Sequence, residues 1–153
     1  MRIRLVTSQD SRLIFSWRND PQTRKMSLNS QEIPWITHCR WLERSITNPR
    51  ILLLICEHET FHEEIAIVRF DLSDDAAEVS INVSPHMRGK KIAKRCLKMA
   101  ISFLKIQSPE VKIITALVKD INFASHSVFK SLEFKPIKKE KNIIVYEHVL
   151  ENG

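Results

Sequence analysis

Residues 77–105, AEVSINVSPHMRGKKIAKRCLKMAISFLK, decide the fold. Val79, Ile81 and Val83 alternate with Glu78, Ser80 and Asn82, the period of two of a pleated strand. Pro85, which donates no ladder hydrogen bond, stops it. A helix follows, with Ile92, Ala93, Cys96, Leu97, Ala100, Ile101 and Leu104 on one face at helical spacing. Between the two lies Arg88-Gly89-Lys90-Lys91-Ile92-Ala93, and Gly89 is the only glycine besides the terminal residue. A helix start has unpaired amide donors and a partial positive charge. A glycine there lets backbone approach a ligand, and Arg88, Lys90 and Lys91 add full charges. The segment is expected to cradle an anion, most naturally a phosphate or diphosphate. A plain strand-to-helix turn with a solvated basic face would use the same residues.

The rest of the chain sets the frame. At 153 residues it reads as one domain, residues 1–153, able to bury about two thirds of its unfolded surface. Its 43% hydrophobic and 27% charged content is ordinary for a globular protein. No apolar run is long enough to cross a bilayer, and the N-terminus lacks the apolar core of a signal peptide. Cys39, Cys56 and Cys96 show no metal-ligand spacing and read as reduced core or near-core thiols, which implies a cytoplasmic setting. The six histidines are scattered, so no metal site is expected. The net charge of +6 fits either nucleic acid or an anionic small molecule. Nucleic acid is set aside, because the basic residues are dispersed and no aromatic-basic motif accompanies them.

In chain order, residues 2–6 form a first strand. Ser8 is expected to cap a helix that turns Leu13, Ile14 and Trp17 inward. Asp20-Pro21 ends it, and residues 22–32 read as a polar loop or mobile helix. Pro34 opens a second helix with Trp35, Ile36, Cys39, Trp41, Leu42 and Ile46 as apolar positions. Strands follow at 51–57, 64–71 and 77–83, then the long helix, a strand at 111–118, a helix at 122–131 and strands at 134–138 and 143–149.

A strand followed by R/Q-x-x-G-x-G/A opening a long helix resembles the acetyl-CoA motif of the GNAT N-acetyltransferase superfamily. Residues 111–134 are similar to the family's second motif, with Asn122-x-x-Ser125, Val128-Phe129 and Phe134 after a strand. The element order β-α-α-β-β-β-α-β-α-β-β is also the family's. The resemblance implies an α/β (α+β) fold with a central, mixed but mostly antiparallel sheet flanked by helices. It implies acetyl-CoA as co-substrate, held by Ile81, Asn82 and Val83 on a splayed strand. Arg88, Gly89, Lys90, Lys91, Ile92 and Ala93 would lie at its diphosphate, and Asn122, Ser125 and Phe129 near its far end. Glu78 matches a position where some members carry a carboxylate base. Its other reading is a surface glutamate.

The segment Trp17-Arg18-Asn19-Asp20-Pro21 with Trp35-Ile36-Thr37-His38-Cys39-Arg40-Trp41 resembles one branch of the superfamily. That branch acetylates the 4-amino group of a UDP-linked deoxy sugar in pseudaminic acid biosynthesis. It implies that Arg18, Asn19, His38 and Arg69 face the sugar nucleotide. Alternatives inside the enzyme class are protein N-terminal, polyamine and aminoglycoside acetylation. Outside it stands a non-catalytic acyl-CoA sensor, and a homodimer stays open. The chain departs from the family at three places. The usual second glycine gives way to Ile92-Ala93, so the turn is expected to rest on Gly89 alone. Glu133 stands where a glycine precedes Phe134. Phe129 replaces the tyrosine that protonates the leaving thiolate, which makes Ser125 and Tyr146, the only tyrosine, the donors to consider.

Overall fold

The alternation at 77–83 becomes a strand of a seven-stranded sheet in the computed structural model, which describes residues 1–151. In chain order the strands are β1 (Arg2–Leu5), β2 (Ile51–Glu57), β3 (Glu64–Ser73), β4 (Ala76–Val83), β5 (Ile113–Lys119), β6 (Lys135–Glu140) and β7 (Ile143–Val149). The helices are α1 (Ser11–Asn19), α2 (Pro21–Met26), α3 (Trp35–Thr47), α4 (Ala93–Gln107) and α5 (Phe123–Ser131). The sheet order is β1-β2-β3-β4-β5-β7-β6, and only β4 and β5 run parallel. The expected mixed α/β architecture is therefore present, with one extra short helix, α2.

That extra helix has a local cause. Asp20 caps it by accepting the Thr23 amide, and Pro21 occupies its first position. Its six residues are polar and bury no side chain, so hydrophobic periodicity gave no sign of it. The first helix is entered through a 3-10 turn, Ser8–Asp10, and the cap of that turn is Thr7 rather than Ser8. Thr7 accepts the Gln9 amide, and Asp10 reaches back to the Thr7 amide, completing a capping box. In α3 the buried face is His38, Leu42 and Ser45, whereas Ile36 and Ile46 lie exposed.

Helix α4 sits on one face of the sheet and buries Cys96, Leu97, Ala100 and Leu104 completely. Each buried leucine contributes about 1.5–3 kcal/mol relative to exposure. They pack with Val68, Phe70, Ala77, Val79 and Ile114 into the main core. The opposite face carries Ile14, Trp17, Leu42, Leu53, Ile55 and Ile67 beneath α1 and α3. Because side chains alternate along a strand, β4 sends Ala77, Val79 and Ile81 toward α4. Glu78, Ser80 and Asn82 consequently point to the α1–α3 side.

Two positions that the family pattern gives to glycine hold other residues in the left-handed region. Lys91, three places after Arg88, has φ +56, and Glu133 has φ +67. The turn thus does not rest on Gly89 alone. Gly89 at φ +73 and Lys91 share it. Among the described residues, no helix is long and apolar enough to cross a membrane.

Candidate active site

Strand β4 pairs with β5 only at Ala76, Ala77 and Glu78, opposite Ile113, Ile114 and Thr115. Beyond Glu78 the two strands part. On its other edge β4 stays paired with β3 through Val83. The Ser84 amide donates to the Ile65 carbonyl at 2.8 Å, which fixes the phase of that ladder. Hydrogen-bonded and free positions alternate in antiparallel pairs. Ser80 and Asn82 therefore spend their backbone groups on β3, while Ile81 and Val83 turn theirs into the gap. Of Ile81, Asn82 and Val83, it is Ile81 and Val83 that present backbone groups to the gap, while the Asn82 side chain accepts from Thr23 Oγ1 at 3.3 Å.

The gap opens into a cleft of about 920 Å³. Ile81, Val83, Arg88, Gly89, Lys91, Ile92 and Ala93 line one side of it, and Asn122, Ser125, Val128 and Phe129 the other. Lys90 points outward and is absent from the lining. No acidic residue occupies the first turn of α4, and no side chain caps its start. Its leading amides, together with Arg88 and Lys91, suit a diphosphate. Strand-like backbone groups facing an open gap suit an extended amide-bearing chain such as pantetheine. These residues fit acetyl-CoA.

The α5 side is built by Asn122, whose Oδ1 accepts the Ser125 amide at 3.2 Å and caps the helix. Phe129 forms the cleft floor but stays 3% exposed, packed edge-on to Phe134 at 5.1 Å. Tyr146 is 1% exposed and outside the cleft, and its hydroxyl donates to His126 Nδ1 at 2.6 Å. Burial pushes its pKa up. Tyr146 is a core residue, and its expected role as thiolate donor does not agree with this placement.

A second cavity of about 490 Å³ joins the cleft at Arg18, Asn29, Arg69, Ser80 and Asn82. Helices α1 and α3 form its far wall. Arg18 donates to Ser27 Oγ at 3.3 Å and to the Asn29 carbonyl at 3.1 Å. Partial burial lowers its pKa, and it has no carboxylate partner among the described residues. Arg69 donates to Asp71 Oδ1 at 2.8 Å and lies over the Trp41 ring at 5.5 Å. Asp71 faces Glu78 directly across the β3–β4 ladder. Partial burial, then the Asp71 charge, raises the Glu78 pKa, with Arg69 acting against both. Sequence reasoning missed Asp71, because only the strand register reveals the pair.

Two expected acceptor contacts turn out to be structural. Asn19 donates to the Ile33 carbonyl at 2.9 Å and accepts the Ile33 amide at 2.8 Å, so it braces the loop before α3. His38 reaches the second cavity's wall but is 2% exposed, enclosed by Phe15, Trp35 and Trp41. Its Nε2–H donates to the Ser11 carbonyl at 2.8 Å, and burial lowers its pKa despite that bond. It is a neutral core histidine.

The family model for the acetyltransferase (GNAT) domain matches residues 1–135. An uncharacterized protein of Methanocaldococcus jannaschii is 26% identical over 148 residues, 95% of this chain. The chain spans about 30% of that protein's length. The structure of a Vibrio cholerae spermidine N-acetyltransferase with CoA and spermine superposes with TM-score 0.84 at 14% identity, covering 97% of this chain and 94% of the other. Campylobacter jejuni N-acetyltransferase PseH superposes at 0.75 and 14%, covering 98% of each chain. At such identities the likeness extends to the fold.

Proposed function

The chain belongs to the acetyltransferase (GNAT) domain family, and on that premise we propose an N-acetyltransferase that moves acetyl from acetyl-CoA to the primary amine of an anionic acceptor. The acceptor class favoured is the 4-amino group of a UDP-linked deoxy sugar. The observation that carries this reading is Arg18, a partly buried guanidinium without a carboxylate partner among the described residues, at the junction of the two cavities. Around the second cavity stand Arg18, Arg44 and Arg69 against Glu32, with Asp71 paired to Arg69. A diphosphate gains from guanidinium forks in such a place. A polyamine, the ligand named for the Vibrio cholerae enzyme, would bring positive charge against three arginines.

Acetyl-CoA, when bound, supplies an activated thioester carbonyl. The backbone of Ile81 and Val83 holds the donor's arm, and an amide facing the gap polarises the carbonyl oxygen. Glu78, on the acceptor side of the same strand, takes the proton from the incoming ammonium so that a neutral amine attacks. Asp71 opposite it reinforces the site's preference for that ammonium. The leaving thiol has an ordinary pKa of about 8.5, so it departs near neutral pH with little help. The Ser125 hydroxyl on the cleft wall offers it a hydrogen bond, which accommodates Phe129 in place of a tyrosine.

Arg18→Ala tests the acceptor assignment. It is expected to raise KM for a UDP-4-amino sugar tenfold or more, the loss of a hydrogen bond to a charged group being worth ~1.5–3 kcal/mol, while calorimetric CoA binding is unchanged. His38→Ala is the contrasting variant and should lower thermal stability instead. Unchanged KM in Arg18→Ala would remove the case for an anionic acceptor.

A further inference from the structure

Asp20 and Thr23 stand on the acceptor side of the cleft, yet their side chains end on the loop that opens α4. Arg88 Nη2 donates to both Asp20 Oδ2 and Thr23 Oγ1, at 2.6 Å each. The Thr23 hydroxyl spends its own proton on Asn82 Oδ1 at 3.3 Å. Burial acts to raise the Asp20 pKa, but bonds from Arg88 and Thr23 more than offset it and keep the carboxylate ionised. At the other end of α2, Lys119 Nζ donates to the Lys25 carbonyl at 3.0 Å. A helix that buries no side chain is thus fastened to both strands bordering the gap and to the α4 loop. Its attachments are polar, and three of the residues that make them, Thr23, Asn82 and Arg88, line the cleft.

We infer that Asp20 and Thr23 are positioning residues for the donor substrate, holding Arg88 by Nη2 so that Nε and Nη1 stay available to the phosphates of CoA. A guanidinium has five donors in a rigid fork, so one nitrogen can be anchored while the others bind. An arginine fixed beforehand loses less freedom when its anion arrives. Arg18 lies two residues before Asp20, so acceptor and donor contacts meet in one short turn. The inference rests on the cleft being the CoA site.

The test is calorimetric titration of CoA into the wild-type chain, Asp20→Asn, Arg88→Ala and the double variant. Asparagine caps a helix as well as aspartate does, so α2 keeps its start while the charged bond is lost. Asp20→Asn is expected to weaken CoA binding about tenfold, the scale of a lost charge-assisted hydrogen bond. In the Arg88→Ala background the same change should have no further effect, since Asp20 acts through Arg88. Thr23→Val, which leaves the Asp20 carboxylate in place, should weaken binding severalfold and covers the case of a poorly folded Asp20→Asn. Unchanged or tighter CoA binding in these variants overturns the inference, the latter meaning that Asp20 competes with phosphate for Arg88. An equal loss with and without Arg88 also overturns it, because Asp20 would then act through the fold. If wild-type protein binds no CoA, the donor-site reading fails as well.

Discussion

Gly89→Asp is expected to weaken CoA binding tenfold or more, at least ~1.4 kcal/mol, in a protein that still folds. Gly89 has φ +73, and a Cβ built there meets nothing within 4 Å. The glycine is needed for its backbone angle, since space around it is open. Aspartate and asparagine tolerate the left-handed region better than other side chains. The new side chain therefore enters the cleft mouth beside Arg88 and Lys91 without a clash, carrying a negative charge where the diphosphate must come. Gly89→Asn, with the same backbone demand and no charge, should lose much less. Calorimetry showing unchanged affinity in folded Gly89→Asp would remove the phosphate role from this loop.

Glu78→Gln is expected to lower turnover about 10²-fold, the lower range of general base assistance, with CoA affinity unchanged. Because partial burial and Asp71 raise the Glu78 pKa, the wild-type kcat/KM should climb with pH through a value above the ordinary ~4.3 of glutamate. Glutamine should abolish that limb. Stability runs the other way. A carboxyl with a raised folded pKa binds its proton more tightly in the fold than in the unfolded chain. Its favourable contribution is present below the ordinary pKa and lost as pH rises through the folded value. Near neutrality Glu78→Gln should melt no lower than wild type. A variant that keeps wild-type turnover would show that the amine loses its proton elsewhere.

The strand, turn and helix of residues 77–105 were legible because two periodicities meet at a proline and a glycine. What escaped sequence reading depended on contacts between distant segments. His38 and Asn19 looked like polar groups in an aromatic and basic setting. Their hydrogen bonds to Ser11 and Ile33 arise only when α1 and α3 pack together. Tyr146 seemed available as the chain's one phenol, but β7 places it against Ala116 in the core. The left-handed turns at Lys91 and Glu133 were hidden because those residues do not announce a positive φ as glycine does. Helix α2 had a readable signal in Asp20-Pro21, a cap followed by proline at the first position, though no apolar face supported it.

The most direct measurement of the account is CoA release from acetyl-CoA by the purified chain, followed with a thiol reagent, with and without acceptor amines. A UDP-4-amino-4-deoxy sugar is expected to drive release at a rate that saturates with its concentration, and spermine and a peptide with a free N-terminus to leave the background unchanged. Saturable release with spermine and none with the sugar nucleotide would contradict the anionic acceptor, and tight acetyl-CoA binding with no release for any amine would contradict the transferase itself.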